Sequence, residues 1–237
     1  MQNQTQQKAH HMSDPLTIIL GVGPGLGQAL ATRFAAGGHR IAMIARDADR
    51  LTALASDIAA DSGRDVRGFS GDGTDLDNIT STMARISNDM GPADVFIHNV
   101  SCWIPEGPMD LEPSILVNEM TLGAGAALAC TQAVLPGMLR QGRGTVLWTG
   151  SRMALEPAEA GPPSPALTAG KAALRGLALA SAGAFHQTGI NFSTITVNGG
   201  ITDDGAFACS RIAETFWAAH SADRKDWVAE RIFDGAD

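Results

Sequence analysis

The sequence predicts a three-layer α/β fold with a doubly wound, mostly parallel sheet of seven strands. Short apolar runs alternate along the chain with longer amphipathic segments, which is the pattern of repeated βαβ units. The first run, 16–20, leads directly into a glycine-rich turn at 21–27 and then into a helical segment at 28–34. With 237 residues and 44% hydrophobic content, the chain can form one full core over 15–237.

Hydrophobic periodicity predicts the remaining elements in order. Further strands are expected at 40–45, 65–69, 93–98, 144–149, 190–197 and 227–233, where apolar and β-branched residues run together. Helices are expected at 49–60, 75–90, 113–140, 166–187 and 206–219, where apolar residues recur on one face. The proline-rich segment 156–166 is predicted to be a loop. Right-handed crossovers favour the strand order 3-2-1-4-5-6 with the seventh strand at the edge.

Composition limits the possible partners and the cellular location. A net charge of -8 argues against binding to nucleic acid or to an anionic membrane. No uninterrupted run of about 18 apolar residues occurs, so no membrane span is expected. Cys102, Cys130 and Cys209 lie far apart, which predicts reduced thiols in a cytoplasmic protein and no metal site. Residues 1–14 are polar and lack the apolar core of a signal peptide, so we expect a disordered tail there.

The glycine-rich turn has the residue types that bind a phosphate. Gly21, Gly23, Gly25 and Gly27 lie between a strand and a helix, with Leu26 at the helix start. Glycine allows a tight turn and close approach of a pyrophosphate, while the helix N-terminus offers free N–H groups and a partial positive charge. An ordinary glycine-rich βα turn is the alternative. The position between strand and helix favours a dinucleotide site.

The spacing Gly-x-x-x-Gly-x-Gly at 21, 25 and 27 resembles the short-chain dehydrogenase/reductase family. The motifs GVGPGLG, AGKAALR and NGGI, together with the Trp-containing C-terminal segment, are similar to a divergent branch of that family, and the resemblance spans about 16–233. It implies a Rossmann fold, a nicotinamide dinucleotide and oxidoreductase activity on a small molecule. Family members pair their long helices between subunits, so it also implies a homodimer or homotetramer through 113–140 and 166–187.

The end of the second strand bears on the choice between NAD and NADP. An acidic residue there would bind a ribose 2′-hydroxyl, but this strand ends without a carboxylate and Arg46 follows it. A guanidinium can pair with a 2′-phosphate through several donors. NADP is therefore the expected cofactor and NAD is less favoured. A solvated arginine at the start of a helix is the alternative.

The resemblance assigns further cofactor contacts to the turns after later strands. The family's aspartate that accepts a hydrogen bond from the adenine amino group matches Asp72, for which a helix cap is the alternative. The family's Asn-Asn-Ala-Gly motif matches the turn after the fourth strand only at Asn99. The family's segment that lines the nicotinamide resembles residues 199–201, for which a plain turn is the alternative. The residues assigned in this way are Asp72, Gly73, Asn99, Val100, Ser101, Gly199, Gly200 and Ile201.

The resemblance also assigns the catalytic positions, with one gap. A typical member reduces a carbonyl with a tyrosine, a lysine four residues later, a serine and an asparagine. Asn118, Ser151 and Lys171 match the last three, and Lys171 also matches a ribose contact. Leu167 stands where the tyrosine belongs, and the chain contains no tyrosine at all. The i, i+4 spacing places Leu167 and Lys171 on one helical face, so a leucine without a proton to give faces the site.

Neighbouring residues do not obviously replace the phenol. Thr168 is one residue out of register, and Ser164 before Pro165 is typical of a helix N-cap. Glu119 and Arg152 are expected to be surface or rim charges. Three functions are then compatible with the sequence: an NADP-dependent oxidoreductase with altered proton transfer, an NADP(H)-binding sensor or assembly protein without turnover, and a binding module that takes no nucleotide.

Overall fold

Seven parallel strands form one central sheet in the computed structural model, which describes residues 14–236. The strands are β1 Leu16–Leu20, β2 Arg40–Ala45, β3 Val66–Ser70, β4 Val95–His98, β5 Gly144–Ser151, β6 Ile190–Val197 and β7 Glu230–Phe233. Their order across the sheet is β3-β2-β1-β4-β5-β6-β7, and every neighbouring pair is parallel. The predicted fold class and strand order are confirmed. The order reverses between β1 and β4, which leaves a crevice beyond their carboxyl ends.

Helices cover both faces of the sheet and divide the core into two clusters. They are α1 Leu26–Ala36, α2 Ala48–Ser62, α3 Leu76–Met90, α4 Pro113–Met120, α5 Ala126–Gln141, α6 Pro157–Ala160, α7 Pro165–Gln187 and α8 Cys209–Ser221. One cluster packs α3, α5 and α7 against the sheet, with the fully buried Phe96, Trp148 and Phe192 at its centre. The other packs α1, α2 and α8 against the opposite face, around Phe34 and Phe216.

The long helix predicted at 113–140 is interrupted, and this part of the prediction was wrong. Residues Thr121–Gly125 form a π-helix between α4 and α5. Glycine weakens an α-helix, and Gly123 lies so close to α7 that an added Cβ would stand 3.2 Å from the carbonyl oxygen of Gly170. The wider turn thus coincides with a close backbone contact between two helices, a feature that apolar periodicity does not report.

Other boundaries also differ from the prediction. The segment 156–166 is not a plain loop, since it contains the one-turn helix α6, which begins at Pro157, and the start of α7 at Pro165. Proline suits the first helical position because its missing N–H has no partner there. The helix predicted at 206–219 begins only at Cys209.

The segment Pro113–Gln141 is long and apolar enough to cross a membrane by length and composition, and its most apolar 18-residue window has a mean hydropathy of 1.4. Of its most apolar window 44% is buried inside the fold, and core helices pass the same test. Within it, Ala126, Cys130, Val134 and Met138 are packed in the core cluster of the sheet.

Of the disordered tail predicted at 1–14, residues 1–13 lie outside the residues that the structure describes. Asp14 itself is held in place, contrary to that expectation. Its carboxylate accepts a hydrogen bond from Arg64 at 2.9 Å, and its carbonyl oxygen accepts one from Arg40 Nε at 3.1 Å. These contacts fix the chain just before β1 begins.

Candidate active site

The carboxyl ends of the strands open into a cavity of about 850 Å³. The glycine-rich turn, the ends of β2, β4, β5 and β6, and parts of α4 and α7 form its wall. Most residues predicted from the sequence line it: Gly21, Gly23, Gly25, Leu26, Gly27, Arg46, Asp72, Gly73, Asn99, Val100, Ser101, Asn118, Ser151, Leu167, Lys171, Gly199 and Ile201. Gly200 does not; it is exposed beside the cavity. One continuous space therefore joins the predicted cofactor and catalytic positions.

The glycine-rich turn packs backbone directly on backbone. Gly21 has a φ of 95°, and a Cβ there would collide with the carbonyl oxygen of Asn99. A Cβ on Gly27 would lie 2.5 Å from the carbonyl oxygen of Gly21 and 2.8 Å from the Cα of Val22. Because no side chain caps α1 at Gly25, its first N–H groups are available to an anion at the cavity wall. This cradle fits a pyrophosphate.

Asn99 ties the ends of three strands together. Its Nδ2 donates to the carbonyl oxygen of Gly21 at 3.1 Å after β1, while its Oδ1 accepts from Thr149 Oγ1 at 3.0 Å in β5. Asn99 itself follows β4. The side chain therefore joins the strand ends at the point where the strand order reverses.

Arg46 and Asp72 lie on the side of the cavity beyond β2 and β3. Within residues 14–236 the Arg46 guanidinium makes no hydrogen bond or ion pair, and it is exposed at the cavity wall. Asp72 Oδ1 accepts hydrogen bonds from the Thr74 N–H at 2.9 Å and the Thr74 hydroxyl at 2.8 Å. These bonds, aided by the Arg46 cation, hold the pKa of Asp72 below its ordinary value. The cap of α3 is Asp75, not Asp72, since Asp75 accepts from the backbone N–H of Asn78.

Lys171 is a buried cation that joins α7 to the sheet. Its side chain reaches two carbonyl oxygens, donating to Val100 at 3.0 Å and to Thr149 at 2.9 Å. The residue is only 4% exposed, and burial lowers its pKa to about 8, while nearby Glu119 acts to raise it. An ammonium has three donors, so these two bonds leave one N–H for a ligand in the cavity.

Leu167 faces the cavity one helical turn before Lys171 and is 8% exposed. The nearby hydroxyls are engaged elsewhere. Ser164 does not cap α7 through its side chain, contrary to the expectation, because its Oγ donates to the carbonyl oxygen of Ile104 at 2.7 Å. Thr168 Oγ1 donates to the carbonyl oxygen of Ser164 at 2.9 Å. Neither hydroxyl belongs to the cavity wall.

Glu119 is the functional candidate that sequence reasoning missed. The expectation of a rim charge was wrong, because the residue is 4% exposed and lines the cavity. Burial raises the pKa of its carboxyl, and the Lys171 cation opposes that rise. Its position next to Asn118 is the only feature of the sequence that points to a place in the site. Apolar periodicity does not show which face of α4 turns inward, because the π-helix that follows shifts the helical register. Arg152 is exposed as expected and pairs with Glu156 at 2.8 Å.

His98 is a structural group beneath the cavity. It is fully buried, its Nε2 lies 3.0 Å from the carbonyl oxygen of Leu122 in the π-helix, and burial lowers its pKa to about 3. The ring is therefore neutral near pH 7. Within residues 14–236 no group of three His, Cys, Asp or Glu side chains could hold a metal ion.

The strand order, the glycine-rich turn and the cavity at the strand ends define a Rossmann-type α/β domain. Residues 16–207 match the family described as short chain dehydrogenase. The chain therefore belongs to the short-chain dehydrogenase/reductase family, which confirms the predicted family.

Curated relatives and solved structures agree with this assignment. A short chain dehydrogenase of Pseudocercospora fijiensis is 30% identical over 178 residues, 73% of this chain and 55% of the relative. A cis-2,3-dihydrobiphenyl-2,3-diol dehydrogenase of Rhodococcus globerulus is 31% identical over 162 residues, 63% of this chain and 54% of the relative. The chain thus spans about half the length of the curated relatives it matches.

Two solved structures show the same fold. The L-sorbose reductase of Gluconobacter frateurii, in complex with NADPH and L-sorbose, has a TM-score of 0.84 at 23% identity and covers 94% of this chain and 96% of its own. A metagenomic short-chain oxidoreductase in complex with NADP has a TM-score of 0.82 at 20% identity and covers 92% and 96%. At these identities the likeness is one of fold.

Replacing Gly27 by alanine should destabilise the glycine-rich turn. The new Cβ would meet backbone atoms of Gly21 and Val22, which cannot rotate away, and overpacking of this kind costs about 1–3 kcal/mol. Chemical denaturation measures the loss. Gly176→Ala on the open side of α7 is the matched control, since its Cβ would meet nothing within 4 Å. A Gly27→Ala protein as stable as this control would contradict the close packing of the turn.

Proposed function

We propose that the chain is an NADP(H)-dependent oxidoreductase acting on a small carbonyl or alcohol substrate, with Leu167 in place of the usual tyrosine. The observation that carries this proposal is the single cavity that joins the glycine-rich turn and Arg46 to Ser151 and Lys171. Membership of the family supports it. The complexes of the two similar structures with NADPH and NADP support the choice of cofactor.

Each part of the cofactor has a suitable group on the cavity wall. The uncapped start of α1 would hold the pyrophosphate, and the Arg46 guanidinium would pair with the 2′-phosphate. The second carboxylate oxygen of Asp72, Oδ2, would accept a hydrogen bond from the adenine amino group. The remaining N–H of Lys171 would bind a ribose hydroxyl. When bound, the nicotinamide supplies or accepts a hydride.

The substrate end of the cavity combines apolar walls with a few polar groups. Ile104, Ile115 and Leu167 contribute apolar surface. Ser151 Oγ accepts a hydrogen bond from the Met153 N–H at 3.3 Å, so its own proton is available to orient a substrate oxygen. Asn118 adds an amide on the same wall. This balance suits a small substrate with one polar reacting group.

A second candidate is an NADP(H)-binding sensor or assembly protein without turnover. The observation that favours it is Leu167, which lines the cavity on the same helical face as Lys171 in a chain that contains no tyrosine. The proposed cellular location is the cytoplasm in either case. Three free thiols among residues 14–236 support that location.

Arg46→Ala should weaken NADPH binding selectively. Removing a charge-assisted contact of about 1.5–3 kcal/mol predicts a loss of about 10- to 100-fold for NADPH and little change for NADH. Fluorescence titration of both nucleotides measures the difference. Arg140→Ala, exposed at the end of α5 away from the cavity, is the matched control. Equal losses for the two nucleotides would count against a 2′-phosphate contact.

Turnover separates the two candidate functions. We expect NADPH oxidation that depends on diacetyl, phenylglyoxal or L-sorbose, and that falls at least about 100-fold in Lys171→Met because the buried cation is lost. Circular dichroism and NADPH titration check that the variant folds and how much cofactor affinity it retains. Wild-type protein that binds NADPH but oxidises none with these substrates would favour the sensor, and activity gained by Leu167→Tyr would then indicate a decayed enzyme.

We also propose a homodimer or homotetramer formed through α4, α5 and α7. These helices carry exposed apolar residues, including Val117 at 62%, with Leu128 and Leu179 at 38% each. A second copy of the chain would cover them. Leu128→Glu and Leu179→Glu should therefore lower the mass measured by light scattering to that of a monomer, whereas Leu76→Glu on α3 should not. A wild-type monomer would contradict the proposal.

A further inference from the structure

We propose that the carboxyl group of Glu119 is the proton donor of this site, taking the place of the missing tyrosine hydroxyl. In the opposite direction, the carboxylate would accept the proton. The inference rests on the proposed function, since it concerns the proton of that same reaction. It assigns a catalytic residue to α4, on the cavity wall beside Lys171.

The position of Glu119 favours contact with a ligand. The residue is 4% exposed and lines the cavity, yet within residues 14–236 its carboxyl makes no hydrogen bond or ion pair. A buried carboxyl without a partner loses the solvation that water would provide. Because Glu119 lines the cavity, a ligand bound there can supply the missing hydrogen bond.

Close helix packing fixes Glu119 relative to the lysine. A Cβ on Gly170 would lie 3.0 Å from the carbonyl oxygen of Glu119 and 3.7 Å from its Cβ. Gly170 immediately precedes Lys171 in α7, and its lack of a side chain lets the Glu119 backbone of α4 approach α7 closely at this level. The π-helix Thr121–Gly125 begins two residues later and packs against the same glycine.

The other nearby groups are less suited to give the proton. The hydroxyls of Ser164 and Thr168 donate to backbone carbonyls outside the cavity wall. His98 is neutral and buried beneath it. Lys171 donates two hydrogen bonds to the carbonyls of Val100 and Thr149. If it gave its proton to the substrate, it would lose its charge and those two bonds would become weaker.

The reaction balances with Glu119 as the acid. In reduction, the substrate carbon gains a hydride from the nicotinamide while the carbonyl π bond breaks. The substrate oxygen takes the proton of the Glu119 carboxyl and becomes a hydroxyl. The charge of the Lys171 ammonium stabilises the resulting carboxylate, and solvent returns a proton through the open side of the cavity.

Electrostatics set the pH dependence of this step. Burial raises the pKa of Glu119, and Lys171, which faces it from α7, lowers it. His98 from β4 is uncharged near pH 7, and Arg46 and Asp72 lie at the cofactor end of the cavity. Reduction requires the protonated carboxyl, so its rate should fall as pH rises through the pKa of Glu119. Oxidation should show the opposite trend.

A carboxyl titration tests the acid without turnover. In the full-length protein with NADP bound, ¹³C NMR should show one glutamate carboxyl that titrates above the ordinary value and is absent from Glu119→Gln. In Lys171→Met that pKa should rise further, because the neighbouring cation is gone. A Glu119 pKa at or below the ordinary value of a glutamate would overturn the proposal.

A rate measurement separates this inference from the proposed function. With NADPH and diacetyl or phenylglyoxal, Glu119→Gln should lose at least about 100-fold in kcat and the falling limb of its pH profile, while its NADPH affinity stays within about twofold. Glu112→Gln, exposed at the start of the same helix, is the matched control and should keep the wild-type rate. An active wild type whose Glu119→Gln variant keeps more than half of the rate would overturn the role of Glu119 alone. A wild type that binds NADPH and reduces neither compound would overturn both proposals.

Discussion

The site depends on one buried cation, the Lys171 ammonium held between the carbonyl oxygens of Val100 and Thr149. Val100 lies in the turn after β4 and Thr149 lies in β5, so the lysine joins α7 to the strand ends at the bottom of the cavity. A pKa of about 8 in place of the ordinary 10.5 corresponds to about 3 kcal/mol of lost solvation at neutral pH. An apolar side chain at this position would remove both hydrogen bonds and with them the polar link between α7 and the sheet.

That charge also explains why the surrounding residues are arranged as they are. Asn99 holds the strand ends in register next to it, and Leu167 and Glu119 border the same space. A buried carboxylate beside a buried ammonium is stabilised by it, while the ammonium gains some of the solvation that it lost. The two groups therefore oppose each other's pKa shifts.

The sequence predicts the framework well because its signals are local. Apolar runs indicate the strands, the glycines at 21–27 indicate the phosphate cradle, and the right-handed crossover rule yields the strand order. The family resemblance assigns Lys171 to the site, and the i, i+4 spacing adds that Leu167 lies on the same helical face; both residues line the cavity.

The sequence does not reveal Glu119, since its burial depends on contacts between helices far apart in the chain. A single turn of π-helix changes the angular position of every residue on one side of it relative to the other, so periodicity over 113–140 cannot say which face of α4 turns inward. Close packing of Gly170 against the Glu119 backbone decides that question, and small residues carry no directional signal. Ser164 illustrates the same limit, because a side chain typical of a helix cap donates instead to Ile104, sixty positions away.

To act as acids near neutral pH, a phenol and a carboxyl need pKa shifts in opposite directions. The phenol has an ordinary pKa of about 10, which a neighbouring cation must lower, whereas a carboxyl begins at about 4 and must be raised by burial. Leu167 adds apolar surface to the cavity wall, and burial of the Glu119 carboxyl favours its neutral form. A leucine at position 167 and a buried carboxyl at position 119 are therefore physically compatible in one site, and the Lys171 cation acts on the pKa of that carboxyl.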